Sequence, residues 1–169
     1  VDLSGVDLSG ANLSGADLTD LQIDEKAIAT NDLLKDWHRK RKRKRKKSLD
    51  TLLATKKCVR CDLTGADLRG ADLIRANLTA TNLTRISLAT ANLTEANLTG
   101  ANLDGADLTY AYLVGANLTG ANLTGANLSR ANLILANLGG ANLTGANLTE
   151  VNLAGSDLTG VNLTGVNLT

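Results

Sequence analysis

Two cysteines three residues apart, one histidine and a block of nine cations are the residues here whose types could do chemistry. Cys58 and Cys61 form a lone Cys-x-x-Cys pair. Structural zinc takes four ligands and His38 is the only imidazole, so the pair is a poor metal site. A redox pair wants a helix N-terminus behind it, whereas a strand-like repeat follows Cys61. The expected state is ordinary packing of free thiols. The alternative is a short disulfide clamping the preceding segment to the repeat, in an oxidising compartment. With no second His, no Ser-His-Asp arrangement and no carboxylate pair outside the repeat register, no catalytic residue, cofactor or metal is expected. Glycine recurs by repeat, so no phosphate loop is read. The Asn-Leu-Thr triplets match a glycosylation sequon but arise from the repeat itself.

The cations are Arg39, Lys40, Arg41, Lys42, Arg43, Lys44, Arg45, Lys46 and Lys47. Outside this run nine basic residues face seventeen acidic ones, a net of −8 that the overall +1 conceals. Like charges in a block repel, so a solvated, mobile loop is expected. Its anionic ligands would be nucleic-acid phosphates, an anionic membrane surface or the chain's own acidic remainder. No aromatic residues interleave with the run, so base stacking is not indicated.

The remaining composition bounds the fold. The 169 residues include no Pro, Met or Phe, and the aromatics are Trp37, Tyr110 and Tyr112. Ordinary globular cores lean on large rings. No run of about 18 apolar residues is present to span a membrane as a helix. With no Met and no signal-peptide pattern at Val1, the chain is expected to be an excised or processed piece.

Leucine recurs every five residues, at 3, 8, 13 and 18 and again from 63 to 168, making 26 pentads. The residue two before Leu is Ala in 17 and Val in 5; the residue just before Leu is Asn in 16 and Asp in 8. A period of five fits neither a helix nor a flat strand. In extended chain, residues two apart share a face, so the small residue and Leu point the same way. Five is odd, so only a bend in every pentad keeps all Leu on one side. The Thr/Ser-Gly that follows Leu supplies it. A chain that always bends inward becomes a coil, and stacked coils enclose a column of Leu and Ala. Asn and Asp face outward, able to bond the neighbouring turn.

The pattern resembles the pentapeptide-repeat family and its A(D/N)LXX motif, over residues 1–20 and 61–169. The resemblance implies an all-β solenoid, a right-handed quadrilateral parallel β-helix with four pentads per coil. The lead-in LLATKKCVRCDLTGADL is similar to cyanobacterial members, in which a helix and a Cys-x-x-Cys pair precede the first coil. Family centres are often Phe; all 26 here are Leu, which implies a uniform, narrow core.

Three segments are expected: a first coil at 1–20, an insertion at 21–60, and the main solenoid at 61–169. The insertion reads as a turn from Leu21, then a helix capped by Thr30 or Asn31 with Leu33, Leu34 and Trp37 on one edge. The basic loop follows, then a second helix from Ser48 with Leu49, Leu52 and Leu53 as its apolar stripe. Such a helix would cover the open edge of the coils. Residues 1–20 are expected to stack on the main solenoid with 21–60 looped out, the alternative being the end of a separate upstream solenoid.

With four pentads per coil, positions two after Leu form vertical corner columns. One reads Gly70, Thr90, Tyr110, Arg130, Glu150 and the next Arg75, Glu95, Gly115, Leu135, Gly155. Tyr110, Tyr112, Arg130, Glu150, Arg75, Glu95 and Leu135 are therefore the candidate protein-partner surface, Tyr and Arg being favoured anchors. The expected function is a non-enzymatic scaffold presenting a rigid surface. The resemblance also implies two alternatives: mimicry of DNA toward an enzyme such as gyrase, as in quinolone-resistance members, and anion binding through the basic run. An end-to-end homodimer through the edge at Leu168–Thr169 is a further expected association. The compartment is left open between cytoplasm, periplasm and thylakoid lumen.

Overall fold

In the computed structural model, residues 2–18 and 23–169 are described. The chain forms two compact units, residues 1–44 and 45–169. The turn expected at Leu21 lies outside the described residues. No described helix is long and apolar enough to cross a membrane.

The larger unit is a stack of coils. Parallel bridges join residues twenty apart, from Lys57 with Asn77 to Asn147 with Asn167. A twenty-residue repeat is four pentads, so the β-helix is four-sided, with about five and a half coils and a length of roughly 26 Å. The pentad around Leu103 shows why the sequence does this. Asn102 N donates to Thr81 O at 3.0 Å, Leu103 N to Asn122 O at 2.6 Å and Gly105 N to Thr124 O at 2.8 Å, binding the coils before and after. Ala106 N closes the turn on Leu103 O at 2.9 Å. The remaining amide, of Asp104, donates to the Asn102 side-chain Oδ1 at 3.2 Å. Every backbone N–H of the pentad is thus used, and the outward Asn102 caps its own turn while its Oδ1 also accepts from Asn122 Nδ2 of the next coil at 3.1 Å. The residue two after Leu has positive φ, +61° at Gly105, while the Thr-position residue before it does not; this is the type II turn pattern.

Inside, the Leu residues from Leu63 to Leu148 are buried, with Ala76, Ala91, Ala96 and the later alanines between them. Inward exceptions to Ala are accommodated. Thr81 is buried with its hydroxyl donating to Cys58 O, and Ser156 Oγ donates to Leu133 O at 2.8 Å. Among the described residues no buried side-chain polar atom lacks a partner. In the final described coil Leu158, Leu163 and Leu168 are exposed.

Two short expectations need correction. The ladder begins one pentad before 61, at Lys57, and buried Cys58 fills the slot that Leu fills elsewhere. That slot was hidden because Cys replaces the marker residue while the phase runs on. The cysteines are also not free thiols: Cys58 and Cys61 are joined by a disulfide. Each sits at an inward position of the same pentad turn, which brings their Cα atoms to 5.4 Å, inside the range a disulfide needs.

The insertion differs more. Instead of helix, loop and helix, α1 (Glu25–Thr30) is followed by one unbroken helix, α2 (Asp32–Thr55). The basic run is helical throughout and Ser48 lies in mid-helix. Repulsion between like charges four apart costs only a few tenths of a kcal/mol per pair, while Lys and Arg are good helix formers. Both ends of α2 are also fixed. At its start the Asn31 Oδ1 accepts from Leu33 N and Leu34 N at 3.1 and 3.3 Å. At its end Lys56 adopts φ +57° and its N–H closes on Leu52 O at 2.8 Å, a left-handed C-cap. Within the larger unit Leu52 is buried in the Leu cluster and Leu49 packs against it. These two residues shield the first coil; Leu53 and Leu33, expected on apolar edges, are exposed.

In the smaller unit the first pentads turn in the same way, with Val6, Ala11 and Ala16 amides donating to Leu3, Leu8 and Leu13 carbonyls at 3.1 Å. Asn31, buried, donates through Nδ2 to Leu8 O and Ala11 O at 3.1 and 3.0 Å. Asp24 caps α1 by accepting from Ala27 N, and it also accepts from Gly5 N, both at 2.8 Å. These amides, Ala27 first, hold the Asp24 carboxyl below the ordinary aspartate range.

Because the core around Leu103 is a close stack of Leu, with Ala at most of the positions between, a gap there is refilled poorly. Leu103→Ala is expected to lower unfolding free energy by about 3–5 kcal/mol, as read by chemical denaturation.

Candidate interaction face

The two decorated corner columns bound a single face of the tube. Its outward positions are Asp72, Asn92, Tyr112, Asn132 and Asn152 in one row and Ile74, Thr94, Val114, Ile134 and Ala154 in the next. On the other faces this second row is mostly Thr or Ser, as at Thr79, Thr99, Thr119, Thr124 and Thr144. Here it is apolar except for Thr94. Tyr112 is 53% exposed, Tyr110 46%, Ile74 40% and Leu135 66%.

The corner residues are ordered by contacts along the tube, each with the residue one coil away. Arg75 Nε lies 2.6 Å from Glu95 Oε2. Arg130 grips Glu150 with two bonds, Nε to Oε2 at 2.9 Å and Nη2 to Oε1 at 3.0 Å. Its Nη1 also donates to the Tyr110 hydroxyl, and its guanidinium carbon sits 5.4 Å from the Tyr110 ring centroid. Bonding to Arg130 holds the Glu150 carboxyl below its ordinary range, and bonding to Glu150 first and Tyr110 second raises the Arg130 guanidinium. Exposed pairs of this kind add little stability; what they do here is fix the direction of an arginine and a tyrosine. Leu135 lies over Gly155, where a Cβ would stand 2.8 Å from Leu135 Cδ2.

These residues carry backbone strain. Arg75, Thr90, Glu95, Tyr110, Arg130, Leu135 and Glu150 all have φ between +55° and +60°, a region glycine occupies without penalty and other residues enter at a cost of about 1–2 kcal/mol. Outside these two columns the non-glycine corners of the larger unit are Arg60, Ala80 and Arg85. Tyr112 departs from the pattern in another way. It stands where Asn would cap the turn, and a phenol oxygen lies too far from the backbone to do so.

The structure thus brings Tyr110, Arg130 and Glu150 into one bonded column and Arg75 and Glu95 into another, with Tyr112 on the face between them and Leu135 at its rim. The apolar row was missed in the sequence reading, which followed corners only. Writing the residue after each Leu in columns of twenty would have exposed it. Among the described residues no cluster of His, Cys, Asp and Glu could hold a metal ion.

A family model for pentapeptide repeats matches the chain in eight copies, over residues 1–23 and, in overlapping segments, 57–169. The chain belongs to the pentapeptide-repeat family. A solved member from the cyanobacterium Cyanothece, Rfr23, is 32% identical with a TM-score of 0.71, covering 73% of this chain and 99% of its own. HetL from Nostoc, a pentapeptide repeat protein involved in heterocyst differentiation regulation, is 35% identical with a TM-score of 0.41, covering 66% of this chain and 63% of its own. A member from the thylakoid lumen of Arabidopsis thaliana is 37% identical with a TM-score of 0.32, covering 68% and 70%. Among curated proteins none matches. No catalytic family is indicated by these matches.

Within a family whose outward slot is Asn or Asp, a Tyr that forfeits the turn cap should be removable at a gain. Tyr112→Asn is expected to stabilise the fold by about 0.5–1.5 kcal/mol, as a higher thermal midpoint.

Proposed function

We propose that the protein is a non-enzymatic scaffold, a right-handed four-sided β-helix that presents the Tyr112 face to a protein partner. The observation that carries this reading is the coincidence, on one face of four, of an apolar row, two exposed tyrosines and a guanidinium held in place by bonds along the tube. Strained or uncapped positions are retained where the surrounding structure over-determines them, and they gather at functional sites. Tyr and Arg anchors already ordered before binding lose little entropy when a partner arrives.

DNA mimicry has less support. Acidic residues of the rod are interrupted by cations: Glu95 and Glu150 are bound by arginines, Asp67 by Arg69 at 2.7 Å and Asp72 by Lys56 at 3.1 Å. The outward rows are dominated by uncharged Asn. A continuous negative stripe, which mimicry needs, is not what these pairs make.

Affinity capture with the full chain, with Tyr110→Ala/Arg130→Ala, and with Thr119→Ala on another face tests the reading. The double variant is expected to lose its partner and the control to keep it. Equal capture by all three would remove the Tyr112 face from the proposal.

A further inference from the structure

The basic run has a geometry as a helix that it would lack as a loop, and this bears on a ligand of a different kind from the partner of the Tyr112 face. The inference concerns α2 alone. Its nine consecutive cations occupy two and a half turns, about 13–14 Å of axis, or one charge every ~1.5 Å. Duplex DNA carries one negative charge per ~1.7 Å of its axis. An α-helix with side chains is about 10–12 Å across and the DNA major groove is about 12 Å wide.

Some of the cations are engaged within the protein. Lys40 Nζ and Arg39 Nη1 lie 2.7 and 3.9 Å from the Asp36 carboxylate. Arg41 covers the Trp37 ring at 5.3 Å, and Arg45 Nη1 donates to Thr64 O at 2.8 Å. Lys42, Arg43, Lys44, Lys46 and Lys47 are exposed. At 100° per residue, Lys42, Lys46, Arg43 and Lys47 fall within an arc of about 140°. They form two like-charged pairs at i, i+4, a destabilising arrangement that a bound polyanion relieves.

We propose that this stripe of α2 binds the phosphates of duplex DNA without reading its sequence. Other anionic ligands fit less well. No apolar residue lies within 39–47, so this stretch has no greasy face to lay into a bilayer. The neighbouring ring, Trp37, is covered by Arg41, which removes the stacking platform that single strands use. Double-stranded RNA has a major groove too narrow and deep for a helix.

The test is fluorescence anisotropy of a labelled mixed-sequence DNA duplex titrated with the full chain across salt concentrations. Binding should appear at about 50 mM salt and weaken steeply, log K falling with log salt at a slope near −4 for four or five neutralised phosphates. Lys42→Gln/Arg43→Gln/Lys46→Gln/Lys47→Gln should weaken binding at least about tenfold and flatten the slope, with α2 helicity kept because Gln is a good helix former. A second variant, Lys42→Arg/Lys46→Arg/Lys47→Arg, preserves charge and should bind as the parent does. No binding at low salt, equal binding by the Gln variant or loss in the Arg variant would overturn the proposal. So would tighter binding to a single strand, duplex RNA or phosphatidylserine vesicles than to duplex DNA.

Discussion

In an interior pentad such as that of Leu103, three backbone amides bond to the coils on either side, one closes the type II turn, and the side-chain Oδ1 of the Asn before Leu takes the last. This complete use of donors is the constraint from which the tube follows. It requires extended backbone at the Asn and Leu, a left-handed residue two beyond Leu, and a partner strand twenty residues away. Leu then points inward because the alternation leaves it nowhere else to go, and Ala stands across from it because the space between turns is small. The hydrophobic column adds burial energy to a geometry that the amides have already chosen. Since no coil holds all its bonds alone, stability is a property of neighbours.

Against that background, departures become informative. A corner residue other than glycine enters a region that side chains resist, and a Tyr in place of the Asn or Asp before Leu leaves the turn uncapped. Such departures are not spread evenly around the tube. They concentrate along the edges and the centre of the Tyr112 face, where Arg130 is bound between Tyr110 and Glu150. These breaks set the Tyr112 face apart from the otherwise uniform Asn and Thr surface of the repeat.

Much of this was legible in the residues. The five-residue spacing of Leu forces a bend per pentad, and twenty-six repetitions leave no other fold class. A helix start at Thr30 or Asn31 and the corner column holding Arg75 and Glu95 were legible directly. What escaped had identifiable causes. The pentad at Lys57–Cys58 was masked because Cys replaced the Leu that marks the phase. The helix through Arg39–Lys47 was read as a loop because charge repulsion was weighed without the fixed ends of α2, Asn31 before it and Leu49, Leu52 and Lys56 after it. Repulsion of a few tenths of a kcal/mol per pair does not break a helix held at both ends.

The central claim is that coil-to-coil amide bonds, not isolated turns, hold the protein together. Native-state hydrogen exchange followed amide by amide tests it most directly. The amides of Leu83, Asn102, Leu103, Leu123 and Asn142, each donating between coils, should exchange at one slow rate set by cooperative unfolding of the stack. Fast and independent exchange at these positions, with protection confined to the turn amides of Ala106 and Ala126, would contradict it.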